Sequence, residues 1–131
     1  MAARRRRAAE TERACYLESM SGSDLPVEVR SSVTMYAKRL SVRFDRRLRL
    51  VRLFGSWARG EAGEDSDVDV AVVIEGLTRD EWRDAVSDAV DVELETGATL
   101  SPFVVSGEHF DLLVRRELTI ARDILEEGIE A

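Results

Sequence analysis

The sequence predicts an α/β layer, a short sheet covered by helices. Three observations carry that expectation. Apolar runs at Leu48 to Phe54, Asp67 to Ile74 and Thr99 to Val105 have the length and the Val/Leu/Phe content of strands. Between Pro26 and Arg46, Val29, Val33, Tyr36, Ala37, Leu40 and Phe44 recur at three- and four-residue spacing, the period of a helix with one buried side. Thr78-Arg79-Asp80-Glu81 is a capping box that opens a further helix between two of the strands.

Each element has its own signal. Residues 1–20 contain good helix formers and no Gly or Pro, and Ser21-Gly22-Ser23 breaks that helix. Ser23 or Asp24 is the expected cap of the helix from Pro26 to Arg46, with Pro26 in its first turn. Leu48 to Phe54 is a strand ended by Gly55. Asp67 to Ile74 is a second, closed by Glu75-Gly76. The helix after Thr78 carries Trp82, Ala85, Val86, Ala89 and Val92 on its apolar side and stops at Gly97. Pro102 marks Thr99 to Val105 as an edge or bulged strand. Ser106 caps a short helix with Phe110, Leu113 and Val114, and a last helix spans roughly Thr119 to Glu127 and stops at Gly128. Residues 1–22 are expected to form a helical extension and residues 23–131 one domain, a usual size for 131 residues.

Composition narrows the function classes. A hydrophobic fraction of 44% with 34% charged residues is that of a globular chain. No apolar run reaches the ~20 residues of a membrane helix, and Arg4 to Arg7 have no apolar stretch behind them, as a secretory signal needs. The single cysteine, Cys15, excludes an internal disulfide and a cysteine zinc site, so the expected location is cytoplasmic. A net charge of -7 argues against a general nucleic-acid binder. Arginines crowd residues 1–60 and acids lie mostly beyond, so a basic half can still hold phosphate, although solvated helix faces are the plainer reading.

The chemistry concentrates between Gly55 and Asp69. Strand alternation puts Asp67, Asp69, Ala71 and Val73 on one face and Val68, Val70, Val72 and Ile74 on the other. The two aspartates are then about 6–7 Å apart along the backbone. Carboxylates that close raise each other's pKa, and a divalent cation between them removes the conflict. Oxygen-only ligands suit Mg²⁺ or Mn²⁺, and magnesium takes one or two carboxylates plus water and substrate phosphate. Before them, Gly55-Ser56 opens a helical turn whose N–H groups and Ser56 hydroxyl can meet a phosphate, with Arg59 one turn on.

Gly55-Ser56, ten residues, then Asp67-Val68-Asp69 resembles the signature of the DNA-polymerase-β-like nucleotidyltransferase superfamily. GSWARGEAGEDSDVDVAVV further resembles its minimal nucleotidyltransferases, with Gly55, Ser56, Ala58, Arg59, Gly60, Ser66, Asp67, Asp69 and Val72 filling the pattern. The resemblance implies a nucleotidyltransferase fold with a small mixed sheet of about three to four strands. It implies Gly55, Ser56, Arg59 and Ser66 at a nucleoside triphosphate and Asp67 and Asp69 as metal ligands and catalytic residues. The reaction would move a nucleoside monophosphate, AMP from Mg²⁺-ATP, to a hydroxyl on a protein, an RNA or a small molecule. Short chains of this superfamily occur as antitoxins in toxin–antitoxin pairs with a helical HEPN-type ribonuclease. The chain length predicts that a partner or a homodimer completes the site.

One feature departs from the pattern. Active members carry a third carboxylate on the next strand, but Thr99 to Val105 has none, and Thr99 or Ser101 falls on the matching face. Of Asp91, Glu93 and Glu95, Glu95 is nearest in sequence to a substitute. The alternative is therefore a nucleotide- and metal-binding module that acts by contact with a partner. Elsewhere, Trp57 packs the turn or stacks a base, Trp82 is expected in the core, His109 is a surface or capping residue, and Arg49 and Arg52 are expected on opposite faces of their strand.

Overall fold

A stripe of apolar residues needs a surface to cover, and the computed structural model, which describes residues 25–63 and 65–131, shows what that surface is. Helix α1 (Val27–Phe44) lays Val29, Val33, Tyr36, Leu40 and Phe44 onto a sheet. A 3-10 turn leads into β1 (Leu48–Phe54), and the single-turn helix α2 (Ser56–Arg59) follows. Next come β2 (Val68–Ile74), α3 (Arg79–Thr96) and β3 (Leu100–Ser106). Helices α4 (Gly107–Arg115) and α5 (Thr119–Arg122), a π-helical turn (Asp123–Glu127) and β4 (Ile129–Glu130) complete the described chain.

The strands form one mixed sheet in the order β3-β2-β1-β4. β1 runs antiparallel to β2 and β4, and β2 runs parallel to β3 with α3 as the crossover. The predicted alternation along β2 holds. Val68, Val70, Val72 and Ile74 join α1 and α3 in one core cluster, while Ala71 and Val73 join Phe110, Ala121 and Ile124 beneath α4 and α5. β3 is an edge strand, as Pro102 predicts. The Val68 N–H bonds Thr99 O, so the groups of residues 99, 101 and 103 face β2, and Pro102, which has no N–H to give, falls on the free side.

The capping box is present, with Glu81 N–H bonding Thr78 Oγ1 and Thr78 N–H bonding Glu81. Ser106 likewise caps α4 by accepting the His109 N–H. The Arg47 guanidinium holds the same turn, donating to Glu81 at 2.6 and 2.8 Å and to the carbonyls of Glu75 and Gly76 at 3.0 Å. Arg39, Arg43 and Arg47, four residues apart on and just beyond α1, meet the acids of antiparallel α3. Arg39 pairs with Glu95 and Asp91, Arg43 with Asp88 and Asp84. Asp88, only 4% exposed, takes both oxygens to Arg43. These three basic residues are thus engaged within the chain.

Several expectations change. The extension at residues 1–22, the Ser23 or Asp24 cap, Cys15 and Arg4 to Arg7 lie outside the described residues. Pro26 stands before the helix, not in its first turn, because its ψ of 151° is extended. Trp82 is 44% exposed, since it lies on the flank of α3 turned from both the sheet and α1. The last helix is regular only to Arg122. Beyond it lies the π turn, where Arg52, from β1, donates to the carbonyls of Ile124 and Leu125 and Ile124 O also accepts the Gly128 N–H. A bulge between Leu48 and Leu50 shifts the alternation of β1, so Arg49, bonded to Asp111, and Arg52 both reach the α4–α5 side. β4 has only two residues and no periodic signal.

Removing the cap has a defined cost. Thr78→Ala should lower stability by about 1 kcal/mol, seen as a lower urea midpoint at unchanged slope. Arg47 first, and then the Thr78 N–H, hold the Glu81 carboxyl down from 4.5 to about 2. A depressed acid stabilises the fold above its unfolded pKa and loses that contribution as pH falls toward the folded value. Glu81→Gln should therefore flatten the decline in stability between pH 4.5 and about 2. An unchanged acid profile would show that the pair contributes nothing.

Candidate active site

Because β1 and β2 are antiparallel, the end of β1 lies beside the start of β2, and Phe54 is the direct partner of Asp69. The chain must leave β1 at this point without striking that carboxylate. Gly55 does so at φ +78°, a region L side chains avoid, and a Cβ there would overlap Asp69 Oδ2. The sequence reading of Gly55, room for a phosphate, thus acquires a second cause: the carboxylate of Asp69 stands over the glycine. Ser56 starts α2 directly after it, and Arg59 N–H closes the turn on Gly55 O at 3.1 Å.

The return loop is tied at Ser66. Its hydroxyl accepts Gly63 N–H at 3.0 Å, its own N–H bonds Gly63 O at 3.1 Å, and its carbonyl accepts Trp57 Nε1–H at 3.1 Å. The structure thus engages Ser66 in shaping the loop that delivers Asp67. Trp57, expected to pack the turn or stack a base, packs the turn against the α1–α3 core cluster. Asp67 is exposed just before β2, not in the strand as expected, and Asp69 is half-buried inside it.

Burial is the main cause that raises the Asp69 pKa, and the charge of Asp67 adds to it, while Arg59 opposes both. This is the electrostatic signature of two carboxylates that a cation would relieve. The donor set fits a hard divalent ion. It is oxygen-only, and magnesium takes one or two carboxylates with water and phosphate in its other positions; among the described residues no group of three or more potential metal ligands forms. Arg59 bonds Glu61 at 3.0 Å and pairs with Glu127 at 3.6 Å. Glu127 escaped the sequence reading because the π turn and β4 bring it to β1, and no local pattern announces either.

Ser101 is the register partner of Asp69 on the neighbouring parallel strand, exposed, in the position at which the resemblance places a third carboxylate. Asp91 and Glu95 do not replace it, because both are turned to Arg39 on α1. A cavity of about 850 Å³ opens near the starts of β2 and β3, lined by Trp57, Ser66, Val68 and Ala98 among others. Val68 and Ala98 belong to the α1–α3 cluster, so this cavity lies across the sheet from the Asp69 side chain.

The family described as "nucleotidyltransferase domain" matches residues 35–130. The protein adenylyltransferase MntA of Thermococcus cleftensis is 48% identical over 50 residues, 38% of this chain and 48% of that protein, so the match spans about half of the relative's length. A crystal structure from Sulfolobus solfataricus, described as a provisional nucleotidyltransferase, covers 81% of this chain and 86% of its own at 18% identity, with a TM-score of 0.47.

The turn is testable by itself. Gly55→Ala should cost about 1–3 kcal/mol, the range for a side chain held in a forbidden backbone region, read from urea unfolding. Full retention of stability would mean that the chain leaves β1 by another path.

Proposed function

The chain belongs to the nucleotidyltransferase domain family, and from that premise we propose that it transfers AMP from ATP to a hydroxyl of a partner protein. The observation that carries the reading is the placement of the Asp69 carboxylate over Gly55, with Asp67 two residues before it. A triphosphate laid on the Gly55-Ser56 turn meets both aspartates. The name of the adenylyltransferase relative supports AMP as the group moved and a protein as acceptor. The acceptor we favour is a helical HEPN-type partner encoded beside this chain. The absence, among the described residues, of a helix long and apolar enough to cross a membrane is consistent with a partner in solution.

The work of the protein is positioning. The acceptor oxygen bonds to the α-phosphorus, the bond from that phosphorus to the bridging oxygen breaks, and pyrophosphate leaves. Asp67 and Asp69 would hold Mg²⁺, which when bound supplies positive charge against the phosphoryl oxygens. Arg59, released from Glu61 and Glu127, faces the triphosphate. Little covalent chemistry is asked of the side chains in such a transfer. The acceptor proton has no carboxylate at Ser101 to receive it, so it passes to solvent.

That same serine favours a second reading, a module that binds Mg²⁺-ATP and acts by contact. ATP labelled at the α-phosphate, Mg²⁺ and the neighbouring gene's product distinguish the two. The enzyme reading expects label on the partner, loss of at least 100-fold in Asp67→Asn and Asp69→Asn, and faster transfer in Ser101→Asp. Binding of labelled ATP with no transfer to any acceptor leaves only the module.

Asp69 adds a pH dependence. Its folded pKa is raised, so its ionisation opposes folding of the metal-free protein as pH rises through that value. Asp69→Asn should therefore leave the metal-free protein at least as stable at pH 7, while abolishing the rise in Tm that Mg²⁺ gives the parent. In the parent that rise should fade on acidification, at a pH above that of an ordinary aspartate. A Mg²⁺ response undiminished in Asp69→Asn would remove this residue from the metal.

A further inference from the structure

A guanidinium holds an oxyanion best through two N–H groups on one edge. In Arg59 an acid stands on each edge. Glu61 takes Nε at 3.0 Å and Glu127 lies 3.6 Å from Nη1, so neither the Nε–Nη2 edge nor the Nη1–Nη2 edge is wholly open. All three residues are exposed, so both contacts are weak enough for an anion to displace. The charge of the same guanidinium is felt at Asp69, so Arg59 is coupled both to the aspartate pair and to the C-terminal acid.

The two acids are held differently. Glu61 is two residues from Arg59, and its N–H bonds Ser56 O at 2.9 Å, so Arg59 and Glu61 belong to one turn. Glu127 comes from another part of the chain. It ends the π turn, which is fastened to β1. Arg52 donates to Ile124 O and Leu125 O at 3.3 Å, β4 pairs with Arg52 and Leu53, and Ala131 N–H bonds Val51 O at 3.1 Å. Gly128 leaves the turn at a point where a Cβ would overlap Ile124 O. An acid on a fastened segment thus faces an arginine on a single helical turn.

We propose that Glu127 is a positioning residue that competes with the triphosphate for Arg59. It draws the guanidinium toward the C-terminal turn while the site is empty, yields it to the phosphates, and takes it back as pyrophosphate leaves. An anion that must first break this pair binds more weakly by the fraction of molecules in which Arg59 is free. The inference rests on the reading above, in which Arg59 faces the triphosphate. It adds that the last turn of the chain sets how tightly that anion is held and how readily the product departs.

Calorimetric titration of the full chain with Mg²⁺-ATP and, separately, with Mg²⁺-pyrophosphate tests it. Glu127→Gln keeps the side-chain shape and removes the charge. Affinity for both anions should rise about 2- to 5-fold, the span of an exposed ion pair. Arg59→Gln should weaken both, and Arg59→Gln/Glu127→Gln should bind as Arg59→Gln does, because Glu127 acts only through Arg59. A purely structural Glu127 predicts weaker or unchanged binding in Glu127→Gln. Either result, with the Arg59→Gln loss intact, overturns the inference and leaves the proposed function standing. A gain that survives in the double variant is a general effect of charge and overturns it too, as does unchanged affinity in Arg59→Gln. A parent that does not bind Mg²⁺-ATP removes the functional reading itself, and this inference with it.

Discussion

The site depends on one steric fact: the Asp69 carboxylate occupies the space where a side chain at position 55 would go. Antiparallel pairing of β1 with β2 makes Phe54 and Asp69 neighbours, so the residue after Phe54 must turn away beside a charged group. Only glycine does this at φ +78°. Once the turn is made, Ser56 begins α2, Trp57 anchors the loop through Ser66, and the loop returns Asp67 to the head of β2. Glycine and aspartate are one geometric unit, although ten residues and a helical turn separate Ser56 from Asp67 in the sequence. A motif spaced along the chain is therefore compact in space.

Charge is organised on the same principle. The sequence is basic before residue 60 and acidic after it, which by itself invites a phosphate-binding interpretation of the arginines. The fold uses Arg39, Arg43 and Arg47 differently, along the seam between α1 and α3. Most of these pairs are exposed and weakly stabilising, but Asp88 is buried and bidentate to Arg43, so it fixes how the helices sit. The seam, together with the Tyr36 hydroxyl bonded to Ala85 O at 2.8 Å, supports β2 from behind. Rigidity on that face lets the opposite face carry an unfavourable pair of carboxylates.

What could be read from the sequence was what has a local cause. The Thr78 cap, the Ser106 cap, the stop at Gly97 and the edge position of β3 follow from residues close together in the chain, and all are present. The shared face of Asp69, Ala71 and Val73 follows from strand alternation. What was missed has distant causes. The β1 bulge comes from its pairing with β2 and moves Arg49 to the side of Arg52. The π turn meets a guanidinium from β1, and Glu127 at its end pairs with Arg59 from α2. Trp82 fitted the helical period, yet periodicity alone does not say how wide the buried stripe is, and α3 has a third side that nothing described covers.

Ser101 is where these strands of argument meet. Its parallel register with Asp69 gives it the position from which a third oxygen ligand would be offered, and its exposure leaves room above it. A carboxylate there would add a third negative charge beside Asp69, whose ionised form burial and Asp67 already disfavour, with Arg59 the opposing charge. The hydroxyl lowers that cost and surrenders a proton acceptor in exchange. Such an exchange is tolerable when the acceptor hydroxyl arrives on a partner that supplies its own environment. It is less suited to free alcohols, which bring no such environment with them. Under the proposed transfer, the same residue favours a macromolecular acceptor over a small one.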